Sequence, residues 1–219
     1  MTSRTFKPRR RGLSPARAAT FAAAMDRFGL AVDGPVLSLP AEFVGDGPFV
    51  LDVGFGGGEA LIELARDRPD ECVIGVEVHT TGLAAVLEAG LPNVRVVDGD
   101  VLDFLPRLAP DSLDEIRIWF PDPWPKHRQR HRRLIRPDVV ARLAGVLRDA
   151  GRLHLVTDSL DYSLQMQQVC AHLGGGMVDR PPWRPVTRYE SRGLSAGRTP
   201  VDLIYTLKRN SVVSPSTNS

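Results

Sequence analysis

The stretch LDVGFGGGEALIEL, residues 51–64, decides the fold. LDV is an apolar run carrying one acid, GFGGG is a glycine-rich turn, and EALIEL repeats apolar residues at helical spacing. Strand, turn and helix in that order open an α/β unit. Such a turn lets backbone approach a ligand closely and aims the N–H groups of the helix start at it. A phosphate-binding P-loop is excluded, because no Gly-Lys-Ser/Thr follows. A dinucleotide fingerprint fails too: Glu59 takes the place of its third glycine, where a carboxylate repels pyrophosphate.

Outward from this unit the same alternation recurs. Apolar runs at 48–53, 72–78, 93–97, 115–120 and 151–157 alternate with helical patterns at 58–68, 80–89, 101–108, 138–148 and 161–173. The runs are nearly all apolar, as expected for strands covered on both faces. Five strand–helix repeats predict an α/β fold, a doubly wound and mostly parallel sheet with helices on both faces, Rossmann-like. After residue 174, GGGM leads into two β-like runs near 177–180 and 201–207. These predict an antiparallel hairpin at the C-terminal end of the sheet. Between them, RPPWRPVTRYESRGLSAGRTP is a long polar connection of the kind that carries function. Residues 1–17 read as a flexible basic arm, 18–209 as a single domain, and 210–219 as a disordered tail.

A chain of 219 residues suits one domain, and an apolar share of 42% with 25% charged residues is that of a soluble globular protein. The net charge is only +2, but it is unevenly spread. Residues 1–17 hold Arg4, Lys7, Arg9, Arg10, Arg11 and Arg17 with no acid, and 126–136 hold six Lys/Arg with no acid. Such patches attract polyanions whatever the total. Cys72 and Cys170 lie far apart without paired spacing, so neither a disulfide framework nor a zinc site is expected. No metal is expected elsewhere. The basic N-terminus lacks a signal-peptide apolar core, and no run is long enough to cross a bilayer. The expectation is a soluble chain in the reducing cytoplasm.

Three acids fall at three successive strand ends. Asp52, two residues before Gly54, suits a cationic ligand group better than a phosphate, and S-adenosylmethionine offers an ammonium and a sulfonium. Glu77 ends the second run, 23 residues after Gly54, where a carboxylate can accept ribose hydroxyls. Asp100, following the third run, can reach an adenine amino group. Singly, the glycine-rich turn can be a plain tight turn, Glu77 a solvated strand end and Asp100 a helix cap before Val101. In register they form a rim for S-adenosylmethionine.

WFPDPWPKHRQRHRRLIRP (119–137) closes the fourth strand. Pro121 and Pro123 restrict the backbone around Asp122, so its carboxylate is held in position beside the glycine turn. Trp124 offers a flat surface for packing or for stacking a base. Lys126, Arg128, Arg130, Arg132, Arg133 and Arg136 follow at once. His127 and His131 stand four apart, with no Cys or carboxylate beside them to complete a metal site. A charge run is usually a solvated face, but this one adjoins the crevice at the strand ends and favours nucleic acid.

The chain resembles the bacterial tRNA (guanine-N7-)-methyltransferases over residues 48–208. The motifs that carry the resemblance are LDVGFGGGE, IGVEVH, the acid of GDVLDFL, FPDPWPKHRQRHRRL, LVTD and TRYESRGLSAGRTPVDL. It implies methyl transfer from S-adenosylmethionine to N7 of guanosine 46 in the tRNA variable loop. It also implies that Asp52, Glu77, Asp100 and Asp122 are cofactor-site acids, with Asp122 catalytic. By the same resemblance Lys126, Asp158, Thr187, Arg188, Tyr189 and Glu190 are substrate contacts, and Arg128, Arg130, Arg132 and Arg133 contact RNA. The family more often has Glu where Asp52 stands, and its basic segment is commonly richer in Lys and His. Guanine N7 has a lone pair and no proton, so alignment matters more than a strong base. Asp122 is expected to hold the guanine edge or balance charge growing on the ring. Trp124 and Tyr189 are the expected supports for the base. The competing readings are a methyltransferase with another substrate, a non-catalytic RNA-binding protein on the same fold, and a dinucleotide oxidoreductase.

Overall fold

The computed structural model describes residues 5–6 and 14–208. In chain order its elements are α1 (Pro15–Phe28), α2 (Leu39–Glu42), β1 (Phe49–Val53), α3 (Glu59–Asp67), β2 (Cys72–Glu77), α4 (Thr80–Ala89), β3 (Val94–Asp98) and α5 (Val101–Phe104). There follow β4 (Leu113–Trp119), α6 (Pro137–Val146), β5 (Leu147–Thr157), α7 (Leu160–Cys170), β6 (Gly174–Val178), α8 (Arg188–Ser195) and β7 (Val201–Thr206). Short 3-10 turns cover Leu105–Arg107 and His127–Arg132.

The strands form one sheet in the order β3-β2-β1-β4-β5-β7-β6. Pairing is parallel from β3 to β5, and β7 runs antiparallel to both β5 and β6. The expected α/β sheet and the C-terminal antiparallel pair are therefore both present. The strand order reverses between β1 and β4, which leaves a crevice at their carboxyl ends. The register aligns Asp52 with Gly75 on one side and Arg117 on the other.

The two faces are built differently. On one, Leu51, Ile74, Ile116 and Leu153 pack with Phe104, Val139 and Tyr162 beneath α5, α6 and α7. On the other, Val50, Val73 and Val96 meet Leu61, Leu83 and Phe28 from α3, α4 and α1. That second core stops at β1. Along β4, Glu115, Arg117 and Trp119 alternate with Ile116 and Ile118, so a buried polar layer faces residues 179–200. Arg117 pairs with Glu115 and Glu71, each at 2.9 Å, and Glu115 also binds Arg152 at 2.6 Å. The Trp183 ring lies under the Arg68 and Arg117 guanidiniums, 4.3 and 5.5 Å from its centroid. The near-uniform apolarity expected of the strands is thus corrected at β4.

Boundaries differ as well. α1 starts at Pro15, and Arg17 pairs with Glu88 at 2.7 Å, so a basic arm ending at 17 cuts into a helix. Thr5 is buried. The rest of the arm (1–4 and 7–13) and the tail (210–219) lie outside the described residues. The helix expected to run to 148 ends at Val146. β5 begins next, and Ala150 at φ +60° accommodates the register shift between Leu113 and Glu115. No helix among the described residues is long and apolar enough to cross a membrane.

Candidate active site

Two adjoining cavities occupy the crevice. The smaller, about 220 Å³, is lined by Gly54, Gly56, Glu77, Asp100, Phe120 and Asp122 among others. The larger, about 630 Å³, is lined by Asp52, Glu59, Asp122, Arg188, Tyr189 and Arg192 among others. Gly54, Gly56, His79, Phe120 and Asp122 belong to both. The structure therefore brings together all four acids expected at the cofactor.

The glycine turn requires its residues for geometric reasons. Gly54 and Gly56 have φ of +72° and +61°, a region L side chains rarely adopt. At Gly82 in α4, a Cβ would meet the Gly56 carbonyl oxygen at 1.7 Å, so turn and helix touch backbone to backbone.

Each acid sits in its own environment. Glu77 is buried and accepts three backbone N–H bonds, from Gly56 (2.7 Å), Val78 (2.6 Å) and His79 (2.9 Å). With two oxygens and about four acceptor sites, it keeps roughly one for a ligand, so it also fastens the glycine turn to β2. Asp100 caps α5 by accepting from Leu102 N–H at 2.9 Å while lining the smaller cavity, so its two readings coexist. Burial raises its carboxyl above the usual range, partly offset by that N–H. Asp52 differs most. It is 4% exposed, and no hydrogen-bond donor reaches its carboxylate among the described residues. Burial pushes it up to about 7, against the pull of Arg117 and with the repulsion of Glu115 and Glu77. A buried acceptor without a donor, facing a cavity, fits a cationic group such as the ammonium of S-adenosylmethionine.

Asp122 is held by strain on both sides. Phe120 and Trp124 have φ of +55° and +40°, costly for non-glycine residues and found where surrounding structure enforces them. Phe120 N–H donates to Val156 carbonyl at 2.7 Å, and Pro123 carbonyl accepts from Arg133 Nε at 2.8 Å. The proline-braced turn is thus tied to the sheet before Asp122 and to Arg133 after it.

Several residues expected at the RNA or substrate have structural partners within the chain. Arg133 is 1% exposed, and its guanidinium donates to Pro123, Gln165 and Asp161 while lying over Tyr162. Three of its five donors fix the turn against α7, and its burial turns the guanidinium into the protein. Trp124 is buried, donates to Thr5 carbonyl at 2.9 Å, and is covered by Arg132 at 3.6 Å, which closes the face expected to stack a base. Glu190 is buried with both oxygens on Arg184, at 2.7 and 2.8 Å, so it anchors α8 and does not line the cavity. Lys126 and Arg128 are exposed and lie outside both linings. Arg130 pairs with Asp161 at 2.8 Å.

Of the remaining expected contacts, Thr187, Arg188 and Tyr189 line the larger cavity, and Asp158 lies behind Tyr189. Thr187 lines it and caps α8, accepting from Glu190 N–H at 3.0 Å. Arg188 reaches Glu59 at 2.9 Å. Tyr189 packs on Phe120 with centroids 5.1 Å apart, and its hydroxyl lies 3.4 Å from Asp158. Burial, then Asp158, raises the Tyr189 hydroxyl above its usual range. Asp158 also takes Arg198 Nε at 2.7 Å, and Ser159 beside it caps α7.

Sequence reading missed Arg192 on the cavity rim and Arg184 beneath it. Arg184 binds Glu190 and lies 2.7 Å from Asp202, whose other neighbour is His154 at 2.9 Å. The usable signal was Thr187-x-x-Glu190, a helix-start pattern that would have placed Arg188 and Arg192 on one helical face. Among the described residues, no group of three or more His, Cys, Asp or Glu could hold a metal ion.

Comparison with known proteins places this geometry. The family model described as "Putative methyltransferase" matches residues 46–203. A tRNA (guanine-N(7)-)-methyltransferase of Streptomyces avermitilis is 40% identical over 92% of this chain and 74% of its own length. One from Xanthomonas axonopodis pv. citri is 41% identical over 92% of this chain and 82% of its own. Among solved structures, the 16S rRNA methyltransferase KamB aligns with a TM-score of 0.55 at 17% identity, over 78% of this chain and 91% of that one. A 16S rRNA (adenine(1408)-N(1))-methyltransferase with cosubstrate SAM, from Catenulisporales acidiphilia, aligns at 0.52 and 16% identity, over 92% and 94%. At that identity the structures speak for the fold alone.

Proposed function

The chain belongs to the tRNA (guanine-N7-)-methyltransferase family, and from that premise we propose that it methylates N7 of guanosine in tRNA, at position 46 of the variable loop as the resemblance implies. S-adenosylmethionine, when bound, supplies an electrophilic methyl group on a sulfonium. The observation that carries the reading is that Asp122 shares both cavities with the glycine turn and one cavity each with Asp52 and Glu77. A cytoplasmic site of action goes with that substrate.

In this reading the buried Asp52 takes the ammonium of the methionine end. Glu77 offers its remaining acceptor site to ribose, and Asp100 faces the adenine end. Asp122, fixed between two strained residues, accepts hydrogen bonds from the guanine edge and keeps N7 directed at the methyl carbon. No residue has to remove a proton before attack, because N7 carries a lone pair. The chain contributes alignment and fixed charge, the two effects that need rigid placement most. Tyr189, packed on Phe120, is the aromatic surface left for the base once Trp124 is covered. Incubation with unmodified tRNA and methyl-labelled cofactor, followed by nucleoside analysis, is expected to yield 7-methylguanosine. Label in another nucleoside, or in none, rejects the assignment.

A further inference from the structure

Two arginines of α8 stand on the rim of the larger cavity, Arg188 and Arg192, four residues and so one turn apart. Their situations differ. Arg188 is engaged by Glu59, at the start of α3, in a pair whose side chains are 73% and 45% exposed. Arg192 is exposed, and its side chain has no hydrogen-bond or ion-pair partner among the described residues. The same cavity holds the carboxylates of Asp52, Glu59 and Asp122. A nucleotide entering it brings a phosphate to a mouth lined with acid, and that phosphate needs cations close by.

We propose that Arg188 and Arg192 form a two-arginine clamp for the backbone phosphate of the nucleotide whose base enters the cavity. In the RNA-free protein, Glu59 holds the place of that phosphate on Arg188. An exposed ion pair is weak, whereas guanidinium–phosphate bonds are charge-assisted and forked, so phosphate displaces Glu59 readily. Glu59 then acts as an internal competitor that keeps Arg188 turned toward the mouth and yields only to an anion that brings more acceptors. Arg192 needs no such exchange and makes the first contact. This inference rests on the RNA-methylating reading of the same cavity.

The test uses the full chain, unmodified tRNA transcript, and the variants Arg192→Ala, Arg188→Ala, Glu59→Gln and Glu59→Gln/Arg188→Ala. All three positions are exposed, so folding is expected to survive and is checked by thermal melting. Arg192→Ala should weaken tRNA binding about tenfold and lower the salt slope by roughly one, with cofactor Kd unchanged. Glu59→Gln should tighten tRNA binding by about two- to fivefold, and that gain should vanish in the double variant. An unchanged Kd and slope in Arg192→Ala overturns the clamp. A gain that persists without Arg188, or a loss of cofactor affinity in Glu59→Gln, overturns the exchange. Failure of the functional reading looks different: the unmutated protein then makes no 7-methylguanosine at all.

Discussion

The half of the sheet formed by β1–β3 and the half formed by β4–β7 meet at one seam, yet they carry charge in different ways. In the first half the strand interiors are apolar but for the half-buried Arg95, and the acids Asp52, Glu77 and Asp100 sit at or just past the strand ends, facing the cavities. In the second, charge runs through the sheet itself. Glu115, Arg117, His154 and Asp202 are buried along β4, β5 and β7, and Arg184 with Glu190 closes over them. The partners decide what each charge does. Arg117 and Glu115 satisfy one another despite burial: the Glu115 carboxyl, pushed up by burial, is brought below its usual range by Arg117 and Arg152. Asp52, one strand away from Arg117, has no hydrogen-bond donor of its own among the described residues. A buried charge with its partners builds scaffold, and a buried charge without them is a place for a ligand.

The largest effect should come from cutting the scaffold half. Arg184→Met leaves the Glu190 and Asp202 carboxylates buried without their guanidinium. Removing one member of such a buried network costs about 3–5 kcal/mol. The melting temperature should fall sharply, and α8 should lose protection from hydrogen exchange before the β1–β3 half does. A loss below about 1 kcal/mol would mean that the network is dispensable and the contrast between the halves is false.

At the seam, Asp122→Ala should behave in the opposite manner. It removes a positioned charge from the cavities, so single-turnover methylation should drop by about 10²–10³-fold. Cofactor affinity should hardly move, and the melting temperature should fall by less than in Arg184→Met. Near-normal turnover would leave Asp122 without its proposed role.

Asp52→Asn sharpens the comparison through pH. The folded protein holds the Asp52 proton up to about pH 7, well above an unfolded carboxylate. Between about pH 4 and 7 the native state therefore binds more protons than the unfolded one, and this group's contribution to stability is lost as pH rises through that window. At roughly 1.4 kcal/mol per pKa unit, the variant should be more stable than the parent at pH 8 by a few kcal/mol, and nearly equal at pH 4. The same carboxylate should bind the cofactor's ammonium better as pH climbs through 7, and calorimetry in two buffers should detect proton release. In the Asp52→Asn variant both the pH dependence and much of the affinity should disappear. A parent whose stability and cofactor affinity are flat from pH 5 to 8 contradicts the reading of Asp52 as an unsatisfied acid.

These differences also set what the sequence could reveal. In the first half each acid lies at the end of an apolar run or just beyond it, beside a turn of distinctive composition, so Asp52, Glu77 and Asp100 were legible from local pattern. In the second half the partners are remote: Glu115 and Arg152 are 37 residues apart, and His154 and Asp202 are 48 apart. Local pattern cannot pair them. One trace was visible, since E-I-R-I-W alternates charge with isoleucine inside a central strand, which signals a polar face. The arginine run was misleading for a related reason. Nothing in HRQRHRR distinguishes Arg133, whose guanidinium points into the protein, from Arg128, whose side chain points out. Burial follows from where the 3-10 turn packs on α7, not from the run itself. α1 was overlooked because its leading residues share the basic character of the arm before it.

The smallest effect tests that last distinction. Arg128 is exposed on the 3-10 turn, and its side chain has no partner among the described residues. If it serves RNA alone, Arg128→Ala should weaken tRNA binding by about 0.5–1 kcal/mol, a few fold, and reduce the salt slope by roughly one phosphate. Its melting temperature should stay within about 1 °C of the parent's, as for surface substitutions generally. Arg133→Lys, five positions along the same run, should show the reverse ordering. A lysine keeps the charge but cannot reproduce the fork that reaches Pro123, Gln165 and Asp161 together, so stability falls first. RNA affinity then follows only as far as the Asp122 turn loosens, and its salt slope stays that of the parent. Filter binding at three salt concentrations, with thermal melts of both variants, separates the two. Equal slopes and equal melts for the pair would show that position within the run, and not burial, decides what these arginines do.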